Sequence, residues 1–365
     1  MREVGCPEED LFSFLSSKRR EDLGYRNILS SMCTSPHPVA ARAHAMFLET
    51  NLGDPGLFPG TAALEGLLVE RLGALMHHPG AGGYATSGGT ESNIQAFRIA
   101  KKLKPVQFPN VVVPASAHFS FQKACDILGI EMRTASLDAD FRIDAEALDG
   151  LVDRNTVCLV GIVGTTEYGM VDPVARLSDL AEERDVFLHI DAAFGGMVVP
   201  FLDRPIPFDF RLSGVDSISV DPHKMGMSTI PAGCLLVRDP DYFSSLNVET
   251  PYLTVKRECT LAGTRPGASV AAAFAVLEYL GMDGMRAVVA GCMENTRRLI
   301  EGMETFGCPR AVTPDVNVAT FSCDRPPAGW RVSRTRAGHM RIVCMPHVTR
   351  DVIEAFLNDM SDTHA

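Results

Sequence analysis

The feature that most narrows the possible folds is a succession of short apolar runs. They are Val111-Val112-Val113, Glu131 to Ala135, Val157 to Val163, Val186 to Ile190, Val215 to Val220 and Gly233 to Val237. Most are apolar nearly throughout rather than at alternate residues, so they are expected as strands buried on both faces. Between them lie a helix from Phe119 to Leu128, a short helix capped by Asp144, and a helix running to Glu183. Asp172-Pro173 opens the last of these, with aspartate expected as N-cap and proline at the first helical position. This βαβα alternation predicts an α/β fold with a mostly parallel sheet covered by helices on both faces. Ligands in that architecture collect at the carboxyl ends of the strands.

The flanks differ in texture. Residues 8–52 read as helices broken by the loop Ser31 to Pro38, and a second turn-rich loop, Gly53 to Gly60, precedes a helix from Leu64 to Leu75 opened by Thr61. Beyond about residue 245, helices Ala268 to Leu280 and Met285 to Phe306 lead to strand candidates Val316 to Ser322 and His339 to Cys344 and a closing helix Val348 to Met360. The expected organisation is an N-terminal helical segment (1–52), a large α/β domain (53–245), and connecting helices with a small α+β domain (246–365).

Composition excludes several partners. A net charge of −11 argues against nucleic acid. No apolar run approaches the roughly 18 residues of a membrane span, and the first ten residues lack a secretory apolar core, so a cytoplasmic protein without a membrane partner is expected. The ten cysteines show no C-x-x-C pair and no zinc-ligand spacing, and they read as reduced core residues. His77-His78 are adjacent rather than four apart, and no metal site is expected.

Chemistry-bearing residues gather at the strand ends. Lys224, in Ser219-Val220-Asp221-Pro222-His223-Lys224, follows one apolar run and precedes another. Burial there disfavours the ammonium and leaves a nucleophilic amine suited to a Schiff base with an aldehyde cofactor. Asp191, in His189-Ile190-Asp191-Ala192-Ala193, ends a buried strand where an unpaired carboxylate is costly. Its natural partner is the protonated ring nitrogen of a pyridoxal-type cofactor, against which Ala193 leaves room for a flat ring. Gly88-Gly89-Thr90 precedes a helix and could receive a phosphate on its free N–H groups, although glycine pairs also serve as plain turns. His118 follows the Val111 to Val113 strand and could stack on a ring or simply cap the next helix. Thr165 and Thr166 follow the Val157 to Val163 strand.

Taken in order, Ser-Gly-Gly-Thr-Glu-Ser (87–92), His118, Gly-Thr-Thr (164–166), His-Ile-Asp-Ala-Ala-Phe-Gly-Gly (189–196) and Ser-Val-Asp-Pro-His-Lys (219–224) resemble the group II pyridoxal-phosphate-dependent amino acid decarboxylases. Within that family the chain is most similar to the archaeal branch acting on L-tyrosine or L-aspartate. The likeness extends over nearly the whole chain, through Gly263-Thr264-Arg265 to Arg341-Ile342-Val343-Cys344-Met345-Pro346-His347. It implies a fold-type I architecture and pyridoxal 5'-phosphate as cofactor. In it Lys224 bonds to the aldehyde, Asp191 pairs with the ring nitrogen and His118 stacks on the ring. Gly89 and Thr90, beside Gly88, hold the phosphate; Thr165 lies near the ring's phenolic oxygen and His223 near phosphate or substrate. Arg341 receives the substrate α-carboxylate. Tyr252 matches a mobile-loop tyrosine that returns a proton to the substrate.

The resemblance further implies a homodimer with the active site between subunits, and an L-amino acid as substrate. The loops Ser31 to Pro38, with His37, and Gly53 to Gly60 would supply the substrate side-chain pocket. Aspartate requires a second polar pocket for its β-carboxylate, whereas tyrosine requires an apolar slot with a polar end. Two alternatives stand beside decarboxylation: a carbon–carbon lyase of the sphingosine-phosphate type, and a catalytically silent pyridoxal-phosphate-binding protein.

Overall fold

The computed structural model describes residues 1–323 and 325–364. In chain order its main elements are α1 (Glu8–Glu21), α2 (Pro38–Met46), α3 (Pro59–Leu75), β1 (Gly82–Thr86), α4 (Gly89–Leu103), β2 (Asn110–Pro114), α5 (Ser120–Leu128), β3 (Glu131–Ala135), β4 (Thr156–Ile162), α6 (Val174–Arg184), β5 (Phe187–Asp191), β6 (Val215–Val220) and β7 (Gly233–Val237). Then come β8 (Val248–Glu249), β9 (Arg257–Glu258), α7 (Gly267–Thr305), β10 (Val318–Phe321), β11 (Ser333–Arg334), β12 (Met340–Val343) and α8 (Arg350–His364).

The large sheet has the order β1-β7-β6-β5-β4-β2-β3, and every strand but β7 runs in one direction. This is the expected α/β architecture. The apolar runs are explained by burial on both faces: Val112, Leu159 and Ile190 pack into one core with Leu177, while Val111, Val113 and Val160 pack into another with Phe97 and Phe121. β1 was not foreseen, because Gly82-Gly83 carries no strand preference of its own; its pairing with β7 across the sequence forms it. At its end Gly233 has no room for a Cβ, which would lie 2.5 Å from Gly88 Cα.

Asp172 differs from expectation. It is not the cap of α6: its carboxylate accepts the backbone N–H of Ile143 (2.8 Å) and of Ile162 (2.7 Å), tying β4 to the turn before residue 146. Burial raises its pKa to about 7. Asp144 does cap the short helical turn that follows, accepting the N–H of Glu146 at 3.1 Å.

α7 is long and apolar enough by composition to cross a membrane. Gly281 interrupts it at φ 59°, ψ −167°, and its first half is largely buried in the protein core, so it is the pair of helices read from sequence, merged across a kink. The small sheet, in the order β10-β12-β11, packs with α8. Leu29 belongs to this unit despite its position near the start of the chain. Its N–H donates to Arg331 (2.8 Å) and its carbonyl accepts from Val343 (2.8 Å). Two cysteines depart from the reduced, unpaired expectation: Cys308 and Cys323 form a disulfide. The backbone pairing of Ala311 N–H with Thr320 and of Ser322 N–H with Pro309 brings them face to face.

Candidate active site

The carboxyl ends of β1, β4, β5 and β6 surround a cleft of about 380 Å³. Gly88, Gly89, Thr90, His118, Asp191, Ala193, His223 and Lys224 all line it. One cleft therefore holds residues separated by over a hundred positions, because parallel strands deliver their ends to the same edge.

Asp191 is the most heavily supported of them. Its Oδ1 accepts Ser219 Oγ and the Ala193 N–H, both at 3.1 Å, and its Oδ2 accepts Asn93 Nδ2 at 2.9 Å. Asn93 Oδ1 meets His189 Nε2 at 2.9 Å, and His189 Nδ1 meets Ser217 Oγ at 2.8 Å. Burial lowers the His189 pKa to about 4, so the ring is neutral near neutral pH. The network holds Asp191 in place, and its oxygens can still accept a proton donor from the cleft. Asn93 went unnoticed in the sequence; the available signal was its place one turn into α4, on the face that meets β5.

Lys224 is not the proton-poor amine that burial alone predicts. Burial pushes the ammonium down, but Asp221 and Asp191 more than offset it and hold the pKa above its ordinary value. Lys224 Nζ lies 3.0 Å from Asp221 Oδ2, three residues earlier on the same turn. That oxygen also accepts the Gly89 N–H at 3.1 Å, while Asp221 Oδ1 is buried without a partner.

His118 Nδ1 accepts the Ser120 N–H (3.2 Å), and burial lowers its pKa. His223 has Nδ1 beside the Ala232 backbone and Nε2 3.7 Å from Asp221; burial lowers its pKa too. Of the two threonines, it is Thr166 that lines the cleft. Thr165 is fully buried, with its hydroxyl accepting the Met170 N–H at 3.0 Å. Arg341, in β12, is only 6% exposed and donates to the carbonyls of Thr166 and Ser30 (the latter 3.0 Å) and to Ser333 Oγ (2.9 Å). Its Nη2 is buried with no partner. Burial lowers its pKa to about 10, leaving it cationic at neutral pH. Thr165 and Arg341 stand outside the cleft lining, and so do two further expected residues. Tyr252 is 86% exposed between β8 and β9, and His37 caps α2, accepting the Val39 N–H (3.2 Å) and packing against Tyr279.

The residues fit a flat, phosphorylated aldehyde. Gly88 sits at φ 145°, where a Cβ would come 3.1 Å from the His223 ring, and a Cβ on Gly89 would lie 3.0 Å from Ala193. The glycines thus keep open a cradle at the N-terminus of α4. A primary amine, a supported carboxylate and a neutral imidazole face the same space. Among the described residues no cluster of metal-ligating side chains is found.

A family model described as the pyridoxal-dependent decarboxylase conserved domain matches residues 49–308. A protein of Methanoculleus marisnigri named probable L-tyrosine/L-aspartate decarboxylase is 84% identical over 365 residues, covering both chains completely. A protein of Archaeoglobus fulgidus named probable L-aspartate decarboxylase is 50% identical, covering 96% of this chain and 98% of its own. Among solved structures, the sphingosine-1-phosphate lyase of Burkholderia pseudomallei superposes with a TM-score of 0.90 at 29% identity, covering 99% of this chain and 91% of that one.

Proposed function

The chain belongs to the pyridoxal-dependent decarboxylase family and is a pyridoxal-phosphate-dependent amino acid decarboxylase of fold type I; we propose that it removes the α-carboxyl group of L-aspartate, L-tyrosine or both. The products would be β-alanine, which serves coenzyme A synthesis, and tyramine, which serves methanofuran synthesis, in the cytoplasm. The observation that carries the reading is the convergence of Lys224, Asp191 and the Gly88-Gly89 cradle on one cleft. The printed names of the relatives motivate the two substrates. The alternative carbon–carbon lyase shares the fold at 29% identity. The alternative of a silent binder gives no use to a cleft cation beside a buried carboxylate.

In this reading Lys224 would hold the cofactor at its aldehyde, Asp191 would keep its ring nitrogen protonated, and His118 would pack on its ring. Gly88, Gly89 and Thr90 take the phosphate, with His223 beside it. When bound, the cofactor supplies a sink for the electron pair left at Cα as carbon dioxide departs. Asp221 Oδ2, 3.0 Å from Lys224 Nζ, stabilises the lysine as an ammonium once the amine is free. Arg341 offers its unpartnered Nη2 to the substrate carboxylate. That grip raises the rate only where orientation outweighs tighter ground-state binding. Thr166, which lines the cleft, rather than Thr165 would touch cofactor or substrate.

We take His223 or Tyr252 to return the proton to Cα; Tyr252, 86% exposed, would act in the cleft of a neighbouring subunit of a homodimer. α1 buries none of its residues and leaves Phe12 and Phe14 exposed, while Met46, Leu48 and Leu57 are exposed as well, an apolar surface that a second copy would cover. The experiment is carbon dioxide release from each amino acid, with Lys224→Ala as control. Visible absorption by the wild type and release from either substrate, both lost in the variant, is the expected result. Undiminished release by Lys224→Ala would sink the reading.

A further inference from the structure

Two arginines of one small-domain hairpin bond to the loops that carry the cleft-lining His118 and Thr166. Arg341 lies on β12, and Arg336 sits at the tip between β11 and β12, where Thr335 N–H donates to the His339 carbonyl (2.9 Å). Arg336 Nη1 and Nη2 donate to the carbonyls of Ala115 and Ala117, the latter at 3.1 Å. These two residues lead directly into His118. On the other side of Arg336, its backbone N–H donates to Glu167 Oε2 (2.8 Å) and its Nε lies 3.2 Å from Glu167 Oε1. Glu167 follows the cleft-lining Thr166. A single guanidinium thus bridges the loop carrying His118 and the loop carrying Thr166.

His118 has little else to fix its tilt. Its ring accepts the Ser120 N–H of its own turn and packs on Phe119, a neighbour that is itself exposed. The loop's N–H groups are taken, Ala115 by the Ala135 carbonyl and Ala117 by that of Pro114 (both 2.9 Å), so it is the carbonyls of Ala115 and Ala117 that Arg336 holds, and Ser116 between them has a buried hydroxyl with no partner. We propose that Arg336 is a positioning residue that fixes the loop of His118 and thereby the ring's seat over the cofactor. The proposal rests on the pyridoxal-phosphate reading above. The planar fork of arginine spans two carbonyls at once, which a lysine ammonium on a flexible stem does not. The Arg336 side chain is well exposed, so water replaces its bonds in a variant and the fold loses little. The position of His118 is what suffers. Arg341 lies five residues further along the same hairpin, so loading of the substrate carboxylate and seating of His118 share one rigid element.

The test compares wild type, Arg336→Gln, Arg336→Lys and Glu167→Gln as holoenzymes, by visible circular dichroism of the bound cofactor, steady-state kinetics and thermal unfolding. The expected result for Arg336→Gln is roughly a tenfold fall in kcat with KM changed less than about threefold. Its visible dichroism falls to about half or less, with little change in the unfolding midpoint, and Arg336→Lys is intermediate. Glu167→Gln, which loosens the same guanidinium, shows a weaker version and serves where Arg336→Gln fails to fold. Wild-type dichroism and kcat in these variants would overturn the role of Arg336, as would losses that merely follow a matching loss of thermal stability. A wild type without a visible cofactor band would instead remove the cofactor reading, and this proposal with it.

Discussion

Asn93→Ala is the substitution that most directly tests the support of Asp191. The side chain makes three buried hydrogen bonds: Nδ2 to Asp191 Oδ2 (2.9 Å) and to Ser120 Oγ (3.0 Å), and Oδ1 with His189 Nε2 (2.9 Å). Truncation strands His189 Nε2 and Ser120 Oγ on fully buried residues and takes a donor from Asp191, 7% exposed at the cleft wall. Each neutral partner left unsatisfied costs about 1 kcal/mol and the carboxylate about 2, so about 4 kcal/mol is lost in all. For a chain of 365 residues, an unfolding entropy of about 2.1 cal/mol/K per residue makes that a fall of roughly 5 °C in Tm. Differential scanning fluorimetry of the apo and cofactor-loaded forms measures it. The loaded form should fall further, because an Asp191 held only through Oδ1, by Ser219 and Ala193, orients on the ring nitrogen less well. A Tm within about 1 °C of wild type in both forms would refute the reasoning, since fully buried partners could not then depend on Asn93.

Three further outcomes are expected. Gly88→Ala places a Cβ at φ 145° and 3.1 Å from the His223 ring; it should cost about 1–3 kcal/mol in urea unfolding and release cofactor on dialysis. Arg341→Met removes the cation whose Nη2 lacks a partner and strands the carbonyls of Thr166 and Ser30; kcat/KM should fall roughly a hundredfold and urea unfolding should show a loss of about 1–3 kcal/mol. His189 has a folded pKa of about 4, below the roughly 6.5 of an unfolded chain. The unfolded state therefore binds the extra proton, and the stability contributed is complete above pH 6.5 and lost as pH falls towards 4. Urea midpoints across that range should decline, and decline less in His189→Gln.

The sheet was legible because near-continuous apolar runs admit few other placements, and the strand-end positions of Asp191 and Lys224 followed from it. What escaped was partnership. Nothing in a linear reading pairs Gly82–Thr86 with Gly233–Val237, and without β1 the approach of Gly88 to β7 cannot be seen. Asp221 stood three residues from Lys224 in plain view, yet burial alone was weighed, and the sign of the pKa shift came out reversed. Thr165 and Thr166 are identical in sequence terms. Only the turn at Gly164, with φ 83°, decides that the first points inward and the second to the cleft. Arg336 carries no motif, since its partners, Glu167 and the carbonyls of Ala115 and Ala117, all lie well over a hundred residues away. Asp172 had every mark of a helix cap, and the alternative acceptor role needed Ile143 and Ile162 to arrive from two directions.

The threading of Leu29 and Ser30 through the small domain bears on how the molecule is born. Ser30 offers its carbonyl to Arg341 from 311 positions away, and Leu29 pairs with backbone at Arg331 and Val343. On a ribosome, this stretch has no docking place until the 311 positions up to Arg341 have emerged, so the long closure comes late. The nascent sheet can gather its strands beforehand, but the seat for a carboxylate exists only after the two extremities have met.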